Sequence, residues 1–484
     1  MLQAILYCAL FLTCALVFAE VRSRTVRQAV LLISSYVLYL TWWSWFIAVL
    51  LFSTVMNFLL GRWLRRNPSG GVLATAILLN LALLGSFKYL PGAAVHFSIS
   101  SLHRFAHLAL PLGISFWTFQ AMSYLFDIYR GEELDPTPVE FALYMVFFPV
   151  TISGPICRMP DMLPQFRSDA LTPLSEIGRG FRRMATGVFM LQAANMLGNG
   201  IMGGDGIASG FDHLTHWSGA DVWCLAVGTG LQLFLNFAGY SHIAIGAALA
   251  LGFTVPENFD RPFQSSNVSV FWTRWHMSLS FWIRDYVFLP LAMLRREMWW
   301  RNLTLIIAMV LFGLWHQATV LFVLWGFYQG VLLVGHRQVQ KLVRALNWDP
   351  PPALWIPLSW ITTIALISLG WIFFRANSLA QAREMLAAIV SPTYFSHSIS
   401  GSLYLLVAGL ALGYAITLLV IDWLDRAAVE RQASASGRRP GFAAFADRWR
   451  WYWVTPLYVM ALLLIIFVNL TQGGNAGQFM YRTF

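Results

Sequence analysis

Apolar runs of membrane length recur along this chain, separated by short polar turns that carry many of its arginines. A helix that crosses the hydrocarbon core of a bilayer needs about 20 apolar residues. Runs at 1–19, 28–41 with 44–60, 72–90, 108–127, 139–152, 181–202, 222–252, 302–335, 353–374, 402–424 and 453–470 meet or approach that length. They predict an all-α polytopic membrane protein with about 11–13 transmembrane or re-entrant helices. The 302–335 run has room for two helices. Residues 28–61 are long for one passage and short for two, which predicts a tight or re-entrant hairpin turning near Thr41–Trp45.

The pattern breaks between Asn236 and Pro290, where proline, asparagine, arginine and tryptophan become dense. Pro256–Pro262 (PENFDRP) cannot be regular helix, because each proline removes a donor and restricts the residue before it. Irregular polar backbone at membrane depth survives only where protein buries it or it lines a wet cavity. The segment is expected to wall such a cavity. Val270–Pro290 then reads as an amphipathic helix, with His276, Ser280 and Arg284 on one stripe at i, i+4 and i+8. Trp275, Leu279, Trp282 and Tyr286 form the neighbouring apolar stripe, and Arg284-Asp285 is a ready ion pair beside it. An interfacial helix with an aromatic belt and snorkelling arginines would look the same.

One histidine, His316, stands inside the apolar run 303–330. A charged side chain at bilayer depth costs about 2.5–3.5 kcal/mol on insertion scales, and neutral imidazole still needs partners for two nitrogens. Such a residue is a candidate general base, since neutral imidazole accepts a proton from a hydroxyl or thiol near neutral pH. It can equally be packing glue between helices, and the residues alone leave both open. Among the other histidines, His103 and His107 stand at i, i+4 without an evident third metal ligand, His213 and His216 fall in a polar loop, and the role of His242 is open.

Composition sharpens the class. Only 11% of the 484 residues are charged and 58% are hydrophobic, with mean hydropathy +0.62. A soluble domain carries roughly 25% charged residues, so this is a single membrane domain over 1–484 and not a globular domain with an anchor. The core segment is expected at 236–335. Net charge is +10, with an isoelectric point near 9.7. With no phosphate-binding loop or basic–aromatic module, that charge points to anionic lipid headgroups at cytoplasmic loops and not to nucleic acid. Arg22, Arg24 and Arg27 follow the first run, Arg62, Arg65 and Arg66 mark a second cytoplasmic turn, and 426–450 is the longest basic loop. The N-terminus lacks a positive leader region and reads as a membrane helix, not a cleaved signal. Gly131–Pro138 is a short acidic turn. Cys8, Cys14, Cys157 and Cys224 have neither CxxC nor metal spacing, so no disulfide, zinc or other metal site is expected.

Taken in order, the blocks NFAGYSHIAIG (236–246), LGFTVPENFDRPF (251–263), FWTRWHMSLSFWIRDYVFLPL (271–291), FGLWHQATVLFVLWGFYQG (312–330), GWIFFRANSLAQA (370–382) and QFMYRTF (478–484) resemble the membrane-bound O-acyltransferase family. The resemblance is to its bacterial branch of alginate O-acetylation and teichoic-acid D-alanylation proteins. It implies a ring of helices around a central tunnel in the bacterial inner membrane. It also implies transfer of an acyl group from a cytoplasmic donor such as acetyl-CoA, used as substrate with no tightly bound cofactor. The acceptor side would be an extracellular polysaccharide, with a separate extracytoplasmic partner of SGNH type. Teichoic-acid D-alanylation is the alternative within the family, and a solute transporter or a non-catalytic export scaffold the alternative outside it.

The family's two characteristic histidines match His316, the presumed catalytic one, and His276. Asn258, Trp272, Arg274, Trp275, Ser280, Arg284, Asp285 and Gln317 are the candidate substrate contacts. Three departures stand out: Gln317 where glycine is common, His242 where the GYS block often continues with an acid, and Met293-Leu294-Arg295-Arg296 in place of a glycine- and asparagine-containing turn.

Overall fold

A computed structural model describes residues 2–41, 45–96, 109–201, 205–396 and 398–434. All regular structure among these residues is helical apart from one isolated bridge between Phe259 and Trp275. Among the described residues, seven helices are long and apolar enough to cross a membrane: Phe46–Arg66, Gly70–Lys88, Gly219–Ala250, Met298–His316, Val320–Ala345, Pro352–Arg375 and the 401–420 part of Gly401–Ser434. Leu6–Glu20 is a shorter apolar helix. The chain is therefore an all-α, multi-pass membrane protein. The 302–335 run is indeed two helices, and residues 28–61 are the paired helices Arg24–Leu40 and Phe46–Arg66, with 42–44 of their turn outside the described residues. The expected span 453–470 and the block 478–484 also lie outside them. In the expected 426–450 loop, helix Gly401–Ser434 continues through residue 434 and the rest is outside the described residues.

The described chain divides into two compact units. The first takes residues 1–186, 240–260 and 275–301. The second takes 187–239, 261–274 and 302 onward. The 236–335 segment is thus shared out in alternation between them, with one boundary between Arg274 and Trp275.

Unit one is held by aromatic packing around Tyr124, Phe141, Tyr144 and Phe147, all fully buried. Two buried amides bridge its adjacent membrane helices, with Asn57 and Asn80 exchanging bonds of 2.7 and 3.0 Å. In lipid there is no hydrophobic force between helices, so such polar glue matters, at about 0.6 kcal/mol per interhelical bond on average. The two arginine turns meet on one side of this unit. Arg24 and Arg167 pair with the fully buried Glu140, while Arg65 pairs with Asp135. Thr137 and Glu140 form a capping box that starts helix Pro138–Val146. Asp135 of the acidic turn at 131–138 and Glu140 just beyond it therefore pair with arginines of the turns that charge placement assigns to the cytoplasm.

In unit two, helices Met298–His316 and Val320–Ala345 cross at backbone distance. A Cβ on Gly313 would overlap the Phe322 carbonyl, and one on Gly326 would overlap the Met309 carbonyl. Gly330 approaches Ile306 in the same way. Small residues at four-residue spacing let membrane helices pack this closely, and here they carry the end of the first helix to its aromatic surroundings.

Candidate active site

His316 is the last residue of helix Met298–His316, and Gln317 closes the helix through its backbone N–H to the Gly313 carbonyl at 3.3 Å. The imidazole is only 6% exposed. Five aromatic rings surround it. Phe312 stacks on it at 5.4 Å with planes 17° apart, and Trp315 lies at 4.6 Å. Phe322 is at 6.0 Å, while Trp325 at 5.7 Å and Phe374 at 5.1 Å present perpendicular rings. The box draws on three helices: the one that ends in His316, Val320–Ala345 and Pro352–Arg375. Trp272 backs it, packing on Phe312 at 5.4 Å and on Trp325 at 5.9 Å, and Trp371 backs Trp325 from the other side at 6.2 Å. One turn beyond Trp325 on the same helix face, Gln329 is fully buried, and neither amide atom finds a partner among the described residues. A buried, unpaired amide costs free energy unless something polar reaches it.

Of the predicted contacts in this unit, Trp272 joins the box. Arg274 ends helix Val268–Arg274, partly buried, where a cation complements the helix dipole. Gln317 is exposed at the helix end and is not part of the box.

The Val270–Pro290 stretch is not the single amphipathic helix that its periodicity predicts. It breaks after Arg274, resumes as Met277–Ile283, passes through a π-helical turn at Arg284–Phe288 and ends as Leu289–Ala292. His276 sits in the break with left-handed backbone (φ 44°, ψ 51°) and 2% exposure. That conformation costs a non-glycine residue about 1–2 kcal/mol, so the surroundings must impose it. Phe259 bridges Trp275 and meets its ring edge-on at 5.2 Å. The Asn258 carbonyl accepts the Met277 N–H at 2.9 Å, and the Asn258 side chain accepts the Ser278 hydroxyl at 2.6 Å. The His276 carbonyl takes the N–H groups of Leu279 and Ser280, and the Ser280 hydroxyl turns back to the Trp275 carbonyl at 3.0 Å. The stripe of His276, Ser280 and Arg284 is therefore broken by the backbone at its first member. His276 lies outside the seven crossing helices, and its burial pushes the imidazole down to about 3, keeping it neutral.

The π turn sets a charged cluster beside this break. Asp285 accepts Arg158 and Arg284, each at 2.7 Å, and its backbone carbonyl accepts Arg130 at 2.5 Å. Burial alone would raise the Asp285 carboxyl, but the two arginines outweigh it and hold it below the usual range. Tyr286 donates to Asp127 at 2.8 Å, while the guanidinium groups of Arg130 and Arg158 lie over its ring at 4.9 and 5.2 Å. Trp282 donates to the Phe119 carbonyl and packs on its ring. Asp285 is thus paired with both Arg284 and Arg158, the latter a residue that sequence reading passed over.

His213 and His216 are exposed, His242 is half-buried on helix Gly219–Ala250, and His103 and His107 lie outside the described residues. No cluster of histidine, cysteine, aspartate or glutamate among the described residues could hold a metal ion. Sequence reading missed Phe312, Phe322, Trp325, Phe374, Gln329, Ser241 and Ser278. The aromatic spacings 312–315, 322–325 and 371–374 were the available signal, but they look like ordinary membrane-helix packing until the helices are assembled.

Residues 29–376 match the model of the membrane-bound O-acyltransferase family, and the chain belongs to that family. It is accordingly an O-acyltransferase. It is 32% identical to the probable alginate O-acetylase AlgI of Pseudomonas putida over 79% of this chain and 78% of that protein. It is 29% identical to the peptidoglycan O-acetyltransferase of Helicobacter pylori over 74% of this chain and 73% of that protein. Identity to the teichoic acid D-alanyltransferase of Bacillus subtilis is 28%, over 55% of this chain and 69% of that protein.

Proposed function

We propose that this protein moves an acetyl group from a cytoplasmic thioester donor, acetyl-CoA, toward hydroxyls of an extracytoplasmic polysaccharide, with His316 as general base. The observation that carries this reading is an imidazole buried among five aromatic rings at the end of a membrane helix. That environment excludes water, which competes for an activated acyl group, and it fixes the ring plane. The acetylase relatives favour acetyl as the group and a glycan as acceptor.

In the proposed step, His316 takes the proton from the acceptor hydroxyl as its oxygen attacks the thioester carbonyl carbon. The carbon–oxygen bond forms and the carbon–sulfur bond breaks. The departing thiolate takes the proton back from the imidazolium. His276, held neutral by burial, keeps one N–H that can donate to a polar atom of the substrate. The arginines at 130, 158 and 284 favour approach of a phosphate-bearing donor. The acceptor side is completed by an extracytoplasmic SGNH-type partner, and the membrane is the bacterial inner membrane.

The test is transfer of radiolabelled acetyl in membranes carrying His316→Ala, with protein amount matched. A loss of about 10²–10⁴-fold is expected for a general base. Unchanged transfer would remove His316 from the chemistry. Release and identification of the acyl group from the product separates acetyl from D-alanyl transfer.

A further inference from the structure

We propose that Asn258 is a positioning residue that sets the orientation of the His276 imidazole and makes no contact with substrate. The proposal rests on the role given to His276 above. Asn258 is fully buried. Its Nδ2 donates to Ser241 Oγ at 2.9 Å and its Oδ1 accepts from Ser278 at 2.6 Å, while its carbonyl receives the Met277 N–H at 2.9 Å. Ser278 Oγ in turn accepts the Ile156 N–H at 3.0 Å. Both ends of the amide are thus committed inside the protein, and Asn258 holds the two residues that directly follow His276, Met277 through its carbonyl and Ser278 through its side chain.

The flanking sequence explains why this residue can do so. Pro256 and Pro262 keep the segment out of helix, which leaves the Asn258 carbonyl free to bond across the chain. Ser241, on the long helix Gly219–Ala250, anchors the amide from behind. Against this stands the periodicity of 270–290, which favours one continuous helix. Left-handed backbone at His276 and the bridge from Phe259 to Trp275 together interrupt the helix between Arg274 and Met277. Asn258 supplies a backbone bond and a side-chain bond that hold the alternative.

The experiment combines Asn258→Ala, the milder Ser278→Ala and His276→Ala in acetyl-transfer kinetics and in NMR of protein selectively ¹⁵N-labelled at histidine, in nanodiscs. Asn258→Ala is expected to lower kcat by about 10–100-fold, the scale of a small misplacement near a reacting group, with the KM for acetyl-CoA changed by less than about 3-fold. Ser278→Ala should give a smaller loss of the same kind, and it covers the case in which Asn258→Ala does not fold. In a His276→Ala background, Asn258→Ala should have no further effect on kcat, although it still lowers the melting temperature. The His276 resonance, assigned by its absence in His276→Ala, should shift in the Asn258 and Ser278 variants. An unshifted His276 resonance would overturn the proposal, as would a rise in KM alone or an equal kcat loss in the His276→Ala background. A shifted resonance with unchanged kcat leaves the positioning role standing and removes His276 from the reaction.

Discussion

The two histidines are buried to nearly the same degree, 6% and 2% exposed, by opposite means. Around His316 the containing groups are rings, brought in by three helices, two of which cross closely at Gly313, Gly326 and Gly330. Around His276 they are hydrogen bonds from a proline-bounded segment that forces a break in a helix. Packing of rings restricts where the imidazole sits, which suits the proton-accepting role proposed for His316. A hydrogen-bonded break restricts the backbone itself, which suits the directional role proposed for His276. Both solutions satisfy the demand that buried polar backbone find partners.

Substitutions can break this contrast in graded ways. The largest effect is expected at His316, where alanine should reduce acetyl transfer by about 10²–10⁴-fold while the box, now lacking one ring, still folds. Next comes the glycine crossing. Gly326→Val drives two methyl groups into the Met309 carbonyl, and should lower both folded yield and transfer, as read by detergent size-exclusion and thermal unfolding. Normal yield with normal transfer would show that the crossing does not set the position of His316.

A third test uses pH. Unfolded His276 takes a proton below about 6.5, whereas the folded, buried group resists until about 3. The unfolded state therefore binds more protons across that interval, and stability falls as pH falls, by at most about 1.4 kcal/mol per pH unit for one proton. His276→Gln should flatten the melting-temperature profile between pH 6.5 and 4. An unaltered profile would mean that other groups govern the acid limit. The smallest effect is expected at the charged cluster. Asp285 is held ionised by Arg158 and Arg284, so its contribution persists above the ordinary carboxylate range and fades only as pH falls through its lowered value. Arg284 is largely exposed, and the Arg284–Asp285 pair should be worth no more than about 1 kcal/mol. Arg284→Ala should accordingly shift the melting temperature by a degree or two, and a larger shift would give the cluster a structural weight that its exposure does not suggest.

Some of this was legible in the linear chain and some was not. His316 stood out because a lone titratable group in an apolar run is expensive, and PENFDRP stood out because two prolines forbid a helix. The box around His316 was not legible, since Phe322 and Phe374 are 52 residues apart and each lies in a run where aromatics are ordinary lipid-facing or packing residues. The break at His276 was misread for a different reason. Periodicity reports what a helix would bury if it formed, and the apolar spacing through 270–290 fits a helix well. It carries no information about a hydrogen-bonding partner some 20 residues earlier. Gln317 and Asn258 illustrate the same limit from two sides. One polar residue beside the key histidine turns outward, and one in a distant loop turns out to hold the other histidine's backbone.

By itself the sequence determined the membrane class and most helix positions and singled out His316, because hydropathy, charge and the cost of burying imidazole are properties of each residue and its near neighbours. The tertiary structure alone decided what surrounds the two histidines: five rings in one case, and an asparagine-held left-handed turn in the other. Ring packing between helices and hydrogen bonds across loops are made between residues far apart in the chain, and only folding brings them within reach.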